Sequence, residues 1–101
     1  MTVIHQPRVA WDGARAVVHA AGSAQYEGFA SHVLDRLGSD LYGDFADTRR
    51  RLLSALVATG GDRYASDVEA GKWRVRLEDL LRTHPDLTGA VLDLTAESQD
   101  L

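Results

Sequence analysis

Cysteine is absent from this chain of 101 residues. Without a thiol the protein forms no disulfide and has neither a thiolate metal ligand nor a cysteine nucleophile, a composition that fits the reducing cytoplasm. Long apolar runs are also missing, because no stretch approaches the roughly 20 residues of a membrane-spanning helix. The N-terminus lacks the basic and then apolar layout of a signal peptide. We therefore expect a cytoplasmic protein that does not enter the membrane.

Positive charge is in deficit, because 11 Lys and Arg residues oppose 15 Asp and Glu residues and the net charge is −4. This balance counts against non-specific nucleic-acid binding as the main activity. Hydrophobic residues make up 45% of the chain and charged residues 26%, which is typical of a globular protein. The length suits one domain with a modest core, so residues 1–101 are expected to form a single helical domain.

Strand-like alternation is missing as well, whereas apolar residues recur at helical spacing along most of the chain. The pattern predicts an all-α fold, a compact bundle of about five short antiparallel helices. Ser23 and Ser39-Asp40 are expected to cap the second and third helices, and Ser66 to Glu69 has capping-box spacing. Residues 1–7 are expected to form a loose N-terminal arm and residues 98–101 a frayed end. The predicted helices cover residues 8–21, 24–37, 41–59, 62 or 66 to 83, and 85–97.

The fourth helix is the centre of the predicted fold, because it places Trp73, Leu77 and Leu80 on one side. Pro85 ends it and opens the next helix, since a prolyl ring disfavours helical backbone before it and suits a first helical position. Fourteen residues form the predicted core: Trp11, Val18, Phe29, Val33, Leu37, Phe45, Leu52, Leu56, Trp73, Leu77, Leu80, Leu87, Val91 and Leu94.

No arrangement of residues predicts an active site. The four histidines, His5, His19, His32 and His84, lie on four different segments, and His32 with Asp35 supplies two metal ligands at most. No serine stands in a Gly-x-Ser-x-Gly elbow, and Gly60-Gly61 lacks the rest of a phosphate-binding loop. We therefore predict a protein that is not an enzyme, with no catalytic residue, cofactor or metal site.

Arg49-Arg50-Arg51 is the one basic run. Arg49 falls inside the apolar face of the third helix, where a guanidinium is costly without a partner. It is expected either to extend from the edge of the bundle or to pair with a carboxylate. A structural arginine and a contact to an acidic partner or a phosphate are both open.

The face of the fourth helix opposite Trp73 carries bulky residues too. Such a helix either is sandwiched inside the bundle or meets another chain, because apolar patches rimmed by charge often mark contacts. A helix-turn-helix made of the fourth and fifth helices is excluded, since its recognition helix would be acidic. The candidate partner interface comprises Arg49, Tyr64, Val68, Val75 and Arg76.

The pattern Trp73-x-x-x-Leu77-x-x-Leu80-Leu81-x-x-His84-Pro85-x-Leu87, with Ala10-Trp11-x-x-Ala14-Arg15-x-Val17-Val18 before it, resembles a group of small helical proteins from high-GC actinobacteria. The resemblance implies a cytoplasmic bacterial accessory protein that acts as an interaction module near regulatory or defence systems. It carries no catalytic residues over to this chain.

The favoured function is a non-catalytic protein–protein interaction or assembly module that forms a homo-oligomer or docks to a larger effector. Two other classes stay open. A small-molecule-binding helical regulator would need a pocket lined by apolar and aromatic side chains. A nucleic-acid-associated regulator would use Arg49, Arg50 and Arg51, although the acidic composition disfavours it.

Overall fold

The computed structural model of the protein describes residues 6–60 and 63–101. These residues form five α-helices and no strand, so the all-α prediction is confirmed. Residues 1–5 of the predicted N-terminal arm, and the alternative start of the fourth helix at Asp62, lie outside this part. The elements are α1 Gln6–Ala21, α2 Tyr26–Leu37, α3 Ser39–Thr59, α4 Tyr64–Thr83, a 3₁₀ turn at Pro85–Leu87, and α5 Thr88–Ser98. None of the helices in the described ranges is long and apolar enough to span a membrane.

α1 is the central helix, and it packs against α3, α4 and α5. Its buried face consists mainly of small residues, among them Ala10, Ala14 and Ala20, which have no exposed surface. Gly13 lies where α4 and α5 meet α1, and a Cβ there would come within 2.8 Å of Val91 Cγ1. Since small side chains let helix axes approach closely, the alanine-rich face brings three neighbours onto one helix.

The core prediction is correct at eight positions, where the side chains are buried: Val18, Phe29, Val33, Phe45, Trp73, Leu77, Val91 and Leu94. The other predicted leucines, except Leu56, are partly buried and pack against this core: Leu37, Leu52, Leu80 and Leu87. An aromatic cluster joins α2, α3 and α4, with ring centroids of Phe45 and Phe29 5.4 Å apart and those of Phe45 and Trp73 6.4 Å apart. Offset and edge-on ring pairs of this kind stabilise cores beyond their buried area.

Trp11 and Leu56 were predicted wrongly as core residues, because they are 41% and 53% exposed. Trp11 lies at the border between the buried and the exposed face of α1. Leu56 lies on the half of α3 that extends past its buried residues, Phe45 and Thr48. Helical periodicity identifies the face of a residue, but it does not say whether a neighbour reaches that far along the helix.

The predicted boundaries shift by a few residues. Gln6 and Pro7 belong to α1 and not to the arm. α2 begins at Tyr26, because the Ser23 hydroxyl accepts a 3.0 Å hydrogen bond from Gln25 N in a turn before the helix. α3 begins at Ser39, directly after Gly38, whose φ of 100° favours glycine.

The residues before and after α5 also differ from expectation. Pro85 opens a 3₁₀ turn, and the Thr88 hydroxyl at the start of α5 donates a 2.7 Å hydrogen bond to Pro85 O. Residues 98–101, where a frayed end was expected, are folded against the bundle. Ser98 is buried, Leu101 packs on the core, and its carbonyl oxygen lies 3.1 Å from His19 Nε2.

Candidate functional site

The outer face of α4 carries an apolar stripe made of Tyr64, Val68, Gly71 and Val75. Their spacing of four, three and four residues places them on one side of the helix, about 160° around its axis from the buried Trp73. Tyr64 is 72% exposed and Val75 50% exposed, and Val68 is exposed as well. The alternative of a sandwiched fourth helix is therefore wrong, and this face, which we call the α4 stripe, lies open to solvent.

Ion pairs between charged side chains of α4 border the α4 stripe. Arg74 Nη1 lies 3.1 Å from Glu78 Oε1 on one side, and Arg82 Nη1 lies 3.2 Å from Asp79 Oδ1 near the end of the helix. Exposed pairs such as these contribute little to stability, but they keep an apolar face soluble. A Cβ at Gly71 would meet nothing within 4 Å, so the middle of the stripe has room for close approach of another backbone.

Arg76, which was predicted to belong to the interface, does not border the α4 stripe. Its Nε lies 3.5 Å from Asp44 Oδ2 on α3, and its guanidinium carbon lies 5.2 Å from the ring centroid of Trp73. Its Nη1 is buried and has no hydrogen-bond partner within the described residues. Arg76 therefore lies at the gap between α3 and α4, where a carboxylate and an aromatic face contact it, and its place in a partner interface stays a prediction.

The Arg49 side chain also makes contacts within the protein. Its Nη1 donates hydrogen bonds of 3.0 Å to Ala21 O and 2.9 Å to Ser23 O, and its guanidinium lies 4.5 Å from the ring centroid of Tyr26. The last carbonyls of a helix have no partner within the helix, so Arg49 completes the end of α1. Burial raises the pKa of the Tyr26 phenol, nearby Tyr42 adds to the rise, and Arg49 opposes it. Among the described residues, Arg49 thus contacts backbone carbonyls and no carboxylate, and the contact to an acidic partner or a phosphate stays a prediction.

The rest of the basic run is engaged too. Arg50 pairs with Asp47 one turn earlier on α3, and Arg51 donates two hydrogen bonds, from Nε and Nη2, to Glu69 Oε1 on α4 at 2.9 and 2.7 Å. Glu69 is buried, and Lys72 Nζ lies 3.2 Å from its other oxygen. Burial alone would raise the pKa of Glu69, but the hydrogen bonds from Arg51 and Lys72 outweigh it and hold that pKa below its ordinary value. The hydrogen bond to Glu69 likewise raises the pKa of Arg51.

These contacts form a polar ladder between α3 and α4 that was not predicted from the sequence. Its three rungs are Arg51 with Glu69, Thr48 with Trp73, and Asp44 with Arg76, in antiparallel order. The available signal was the spacing of three and four residues between the members on each helix, which puts each set on one face. The predicted capping box was wrong, because Ser66 lies inside α4 and Glu69 turns toward α3.

Comparisons with protein families, with curated proteins and with solved structures found no match for this chain. The resemblance to small actinobacterial helical proteins therefore stays a prediction.

Within residues 6–60 and 63–101, no group of three or more His, Asp and Glu side chains could hold a metal ion. His32 and Arg36 both contact Glu97, which ties α2 to α5.

Proposed function

We propose that the protein is a non-catalytic assembly module of the cytoplasm, and that two copies associate through the α4 stripe. The observation that carries the proposal is the exposure of Tyr64, Val68 and Val75 in one line, with Gly71 between them. Removing such side chains from water is favourable at about 25 cal/mol per Å² of apolar surface. A line of exposed apolar residues bordered by charges is typical of a protein contact.

A second copy of the chain is the partner that fits this face best. In an antiparallel pair whose twofold axis passes between Gly71 and Lys72, Val68 of one copy lies opposite Val75 of the other, so the same two valines meet on both sides of the axis. Each border carries a cation and an anion close together, so neither border presents an unpaired charge to the second copy. Gly71 at the crossing point permits a short distance between the helices, as small residues do at helix contacts.

The length of the α4 stripe limits the expected affinity of two copies for each other. Tyr64 and Val75 are eleven residues apart, about 16 Å along the helix. Stable interfaces bury about 800 Å² per partner, and a stripe of this length covers less. We therefore expect a dimer that dissociates on dilution and not a permanent one.

The test is the solution mass, measured by light scattering behind gel filtration over a hundredfold range of protein concentration. We expect the wild-type mass to rise from that of one chain toward that of two, and the Val75→Glu variant to remain a single chain throughout. Val57→Glu is the matched control, because Val57 is 88% exposed and lies on α3, outside the stripe. Circular dichroism melting checks that each variant is folded.

Two results would contradict the proposal. One is a wild-type protein that stays a single chain at every concentration. The other is an equal loss of association in Val57→Glu and Val75→Glu, which would indicate a general effect of added charge. Docking of the same face to a larger effector is the next candidate in the first case, and a pull-down with Val75→Glu as the negative control tests it.

Nucleic-acid binding has less support. Arg49 hydrogen-bonds two backbone carbonyls, and Arg50 and Arg51 are paired with carboxylates. A phosphate would have to displace these partners. Salt-dependent binding to DNA or RNA that is lost in Arg50→Gln would favour this second function over assembly.

A further inference from the structure

A cleft of about 650 Å³ opens on a different side of the molecule from the α4 stripe. It lies between α1, the second half of α3 and the first turns of α4, where α3 extends past the core. Its apolar lining includes Trp11, Val18, Leu52, Leu56 and Ala65. The volume lies within the range of about 300 to 1,000 Å³ that small-molecule sites occupy. The exposure of Trp11 and Leu56, which departs from prediction, is explained by this cleft.

Among the described residues, the arginines at the cleft differ from the other basic side chains because they lack both an ion-pair partner and a hydrogen-bond acceptor. Eight of the basic side chains lie within ion-pairing distance of a carboxylate: Arg8, Arg36, Arg50, Arg51, Lys72, Arg74, Arg76 and Arg82. Arg49 donates to backbone carbonyls. Among the described residues, Arg15 and Arg63 have neither an ion pair nor a hydrogen-bond acceptor, and both line the cleft.

Two guanidinium groups without an anion, in a protein of net charge −4, are a local surplus of positive charge. Arg15 lies with its Cζ 5.8 Å from the ring centroid of Trp11, so a cation and an aromatic face are presented together. Among the described residues of the lining, Asp67 is the one acidic side chain, and it faces two arginines. An arginine binds a carboxylate through two parallel hydrogen bonds, which gives such a site a preference for anions.

We propose that this cleft binds a small amphipathic carboxylic acid. Its apolar body lies against Trp11, Leu52 and Leu56, and its carboxylate lies between Arg15 and Arg63. This ligand satisfies both features of the site, because it removes the exposed apolar lining from water and supplies the missing anion. The proposal does not rest on self-association, since the cleft and the α4 stripe use different faces of α4.

The experiment uses decanoate as the probe and decyltrimethylammonium, which has the same chain length and the opposite charge, as the matched control. Binding is followed by the two indole N–H signals in a ¹H–¹⁵N NMR spectrum, at a protein concentration where light scattering shows one chain. Decanoate is expected to shift the Trp11 signal in a saturable manner and to leave the Trp73 signal in place. Trp73 is buried, so its signal also reports whether the fold is intact. A Trp11→Phe variant assigns the two signals.

Arg15→Gln/Arg63→Gln is expected to bind decanoate at least tenfold more weakly, because the charge-assisted hydrogen bonds are lost. Arg8→Gln/Arg50→Gln removes the same charge from exposed positions outside the cleft and is expected to bind as the wild type does. The proposal would be overturned by equal binding of the two probes, by equal weakening in both double variants, or by the absence of a saturable Trp11 shift. Each of these outcomes leaves the light-scattering result for the α4 stripe unchanged, so the two proposals fail separately.

Discussion

The indole Nε1–H of Trp73 donates a 2.8 Å hydrogen bond to the hydroxyl of Thr48, and both side chains are fully buried. The Thr48 hydroxyl donates in turn to Asp44 O at 2.9 Å. The largest buried side chain therefore has its one polar atom satisfied by a residue 25 positions away. Because the partners of a buried hydrogen bond are hard to replace, this pair fixes the register of α3 against α4.

Replacing Thr48 by Val tests this bond with little change of shape. The variant leaves the Trp73 N–H buried without an acceptor, and such a loss costs about 1–3 kcal/mol of unfolding free energy. Urea unfolding at neutral pH measures it. Thr83→Val is the control, since the Thr83 hydroxyl also bonds a carbonyl four residues earlier but is exposed, and we expect it to change stability by less than about 0.5 kcal/mol. An equal loss of unfolding free energy in the two variants would contradict a larger contribution of the Thr48 hydrogen bond.

The two tryptophans are expected to differ strongly when truncated. Trp73→Ala opens a large cavity in the core and should cost about 3–5 kcal/mol. Trp11→Ala should cost much less, because Trp11 is partly exposed at the cleft. Thermal melting followed by circular dichroism compares them. A Trp73→Ala variant that kept the wild-type melting temperature would contradict the architecture.

Much of this architecture could be predicted from the sequence, and the reasons for the failures are specific. Leu77, Val91 and Phe45 were placed correctly because apolar periodicity identifies the buried face of each helix. Trp11 was misplaced because the end of a core depends on neighbours that periodicity does not describe. Sequence spacing likewise does not say which polar residues of two helices meet, and so the partnership of Arg51 with Glu69 was missed.

Arg51, Glu69 and Lys72 make part of the stability dependent on pH. The folded state holds the pKa of Glu69 below the value of about 4.3 that an exposed glutamate has. The unfolded chain therefore binds the proton more readily, so the stabilisation is fully present above that ordinary value. It is lost as the pH falls through the lower pKa of the folded state.

Unfolding free energies of the wild type and Glu69→Gln, measured from pH 7 to pH 3, check this sign. At pH 7 the variant should be less stable by about 1–3 kcal/mol, because hydrogen bonds to a charged group are replaced by weaker ones. The difference should shrink as the pH drops below about 4.3. Glu78→Gln, which breaks the exposed pair with Arg74, should cost no more than about 0.5 kcal/mol at any pH. A difference that grew in acid would refute the assignment.

Gly13 tests how closely α4 and α5 approach α1. An added Cβ would lie 2.8 Å from Val91 Cγ1 and 3.1 Å from Leu77 Cδ1, and the β-branched valine has little freedom to move away. Overpacking of this kind costs about 1–3 kcal/mol, against a helix-propensity gain of about 1 kcal/mol for replacing glycine by alanine. Gly13→Ala should therefore lower stability. Gly43 lies on α3, and a Cβ there would meet nothing within 4 Å, so Gly43→Ala should raise stability by up to about 1 kcal/mol. Urea unfolding of both variants measures these changes, and a gain of stability in Gly13→Ala would mean that α1 lies farther from Val91 and Leu77 than these distances.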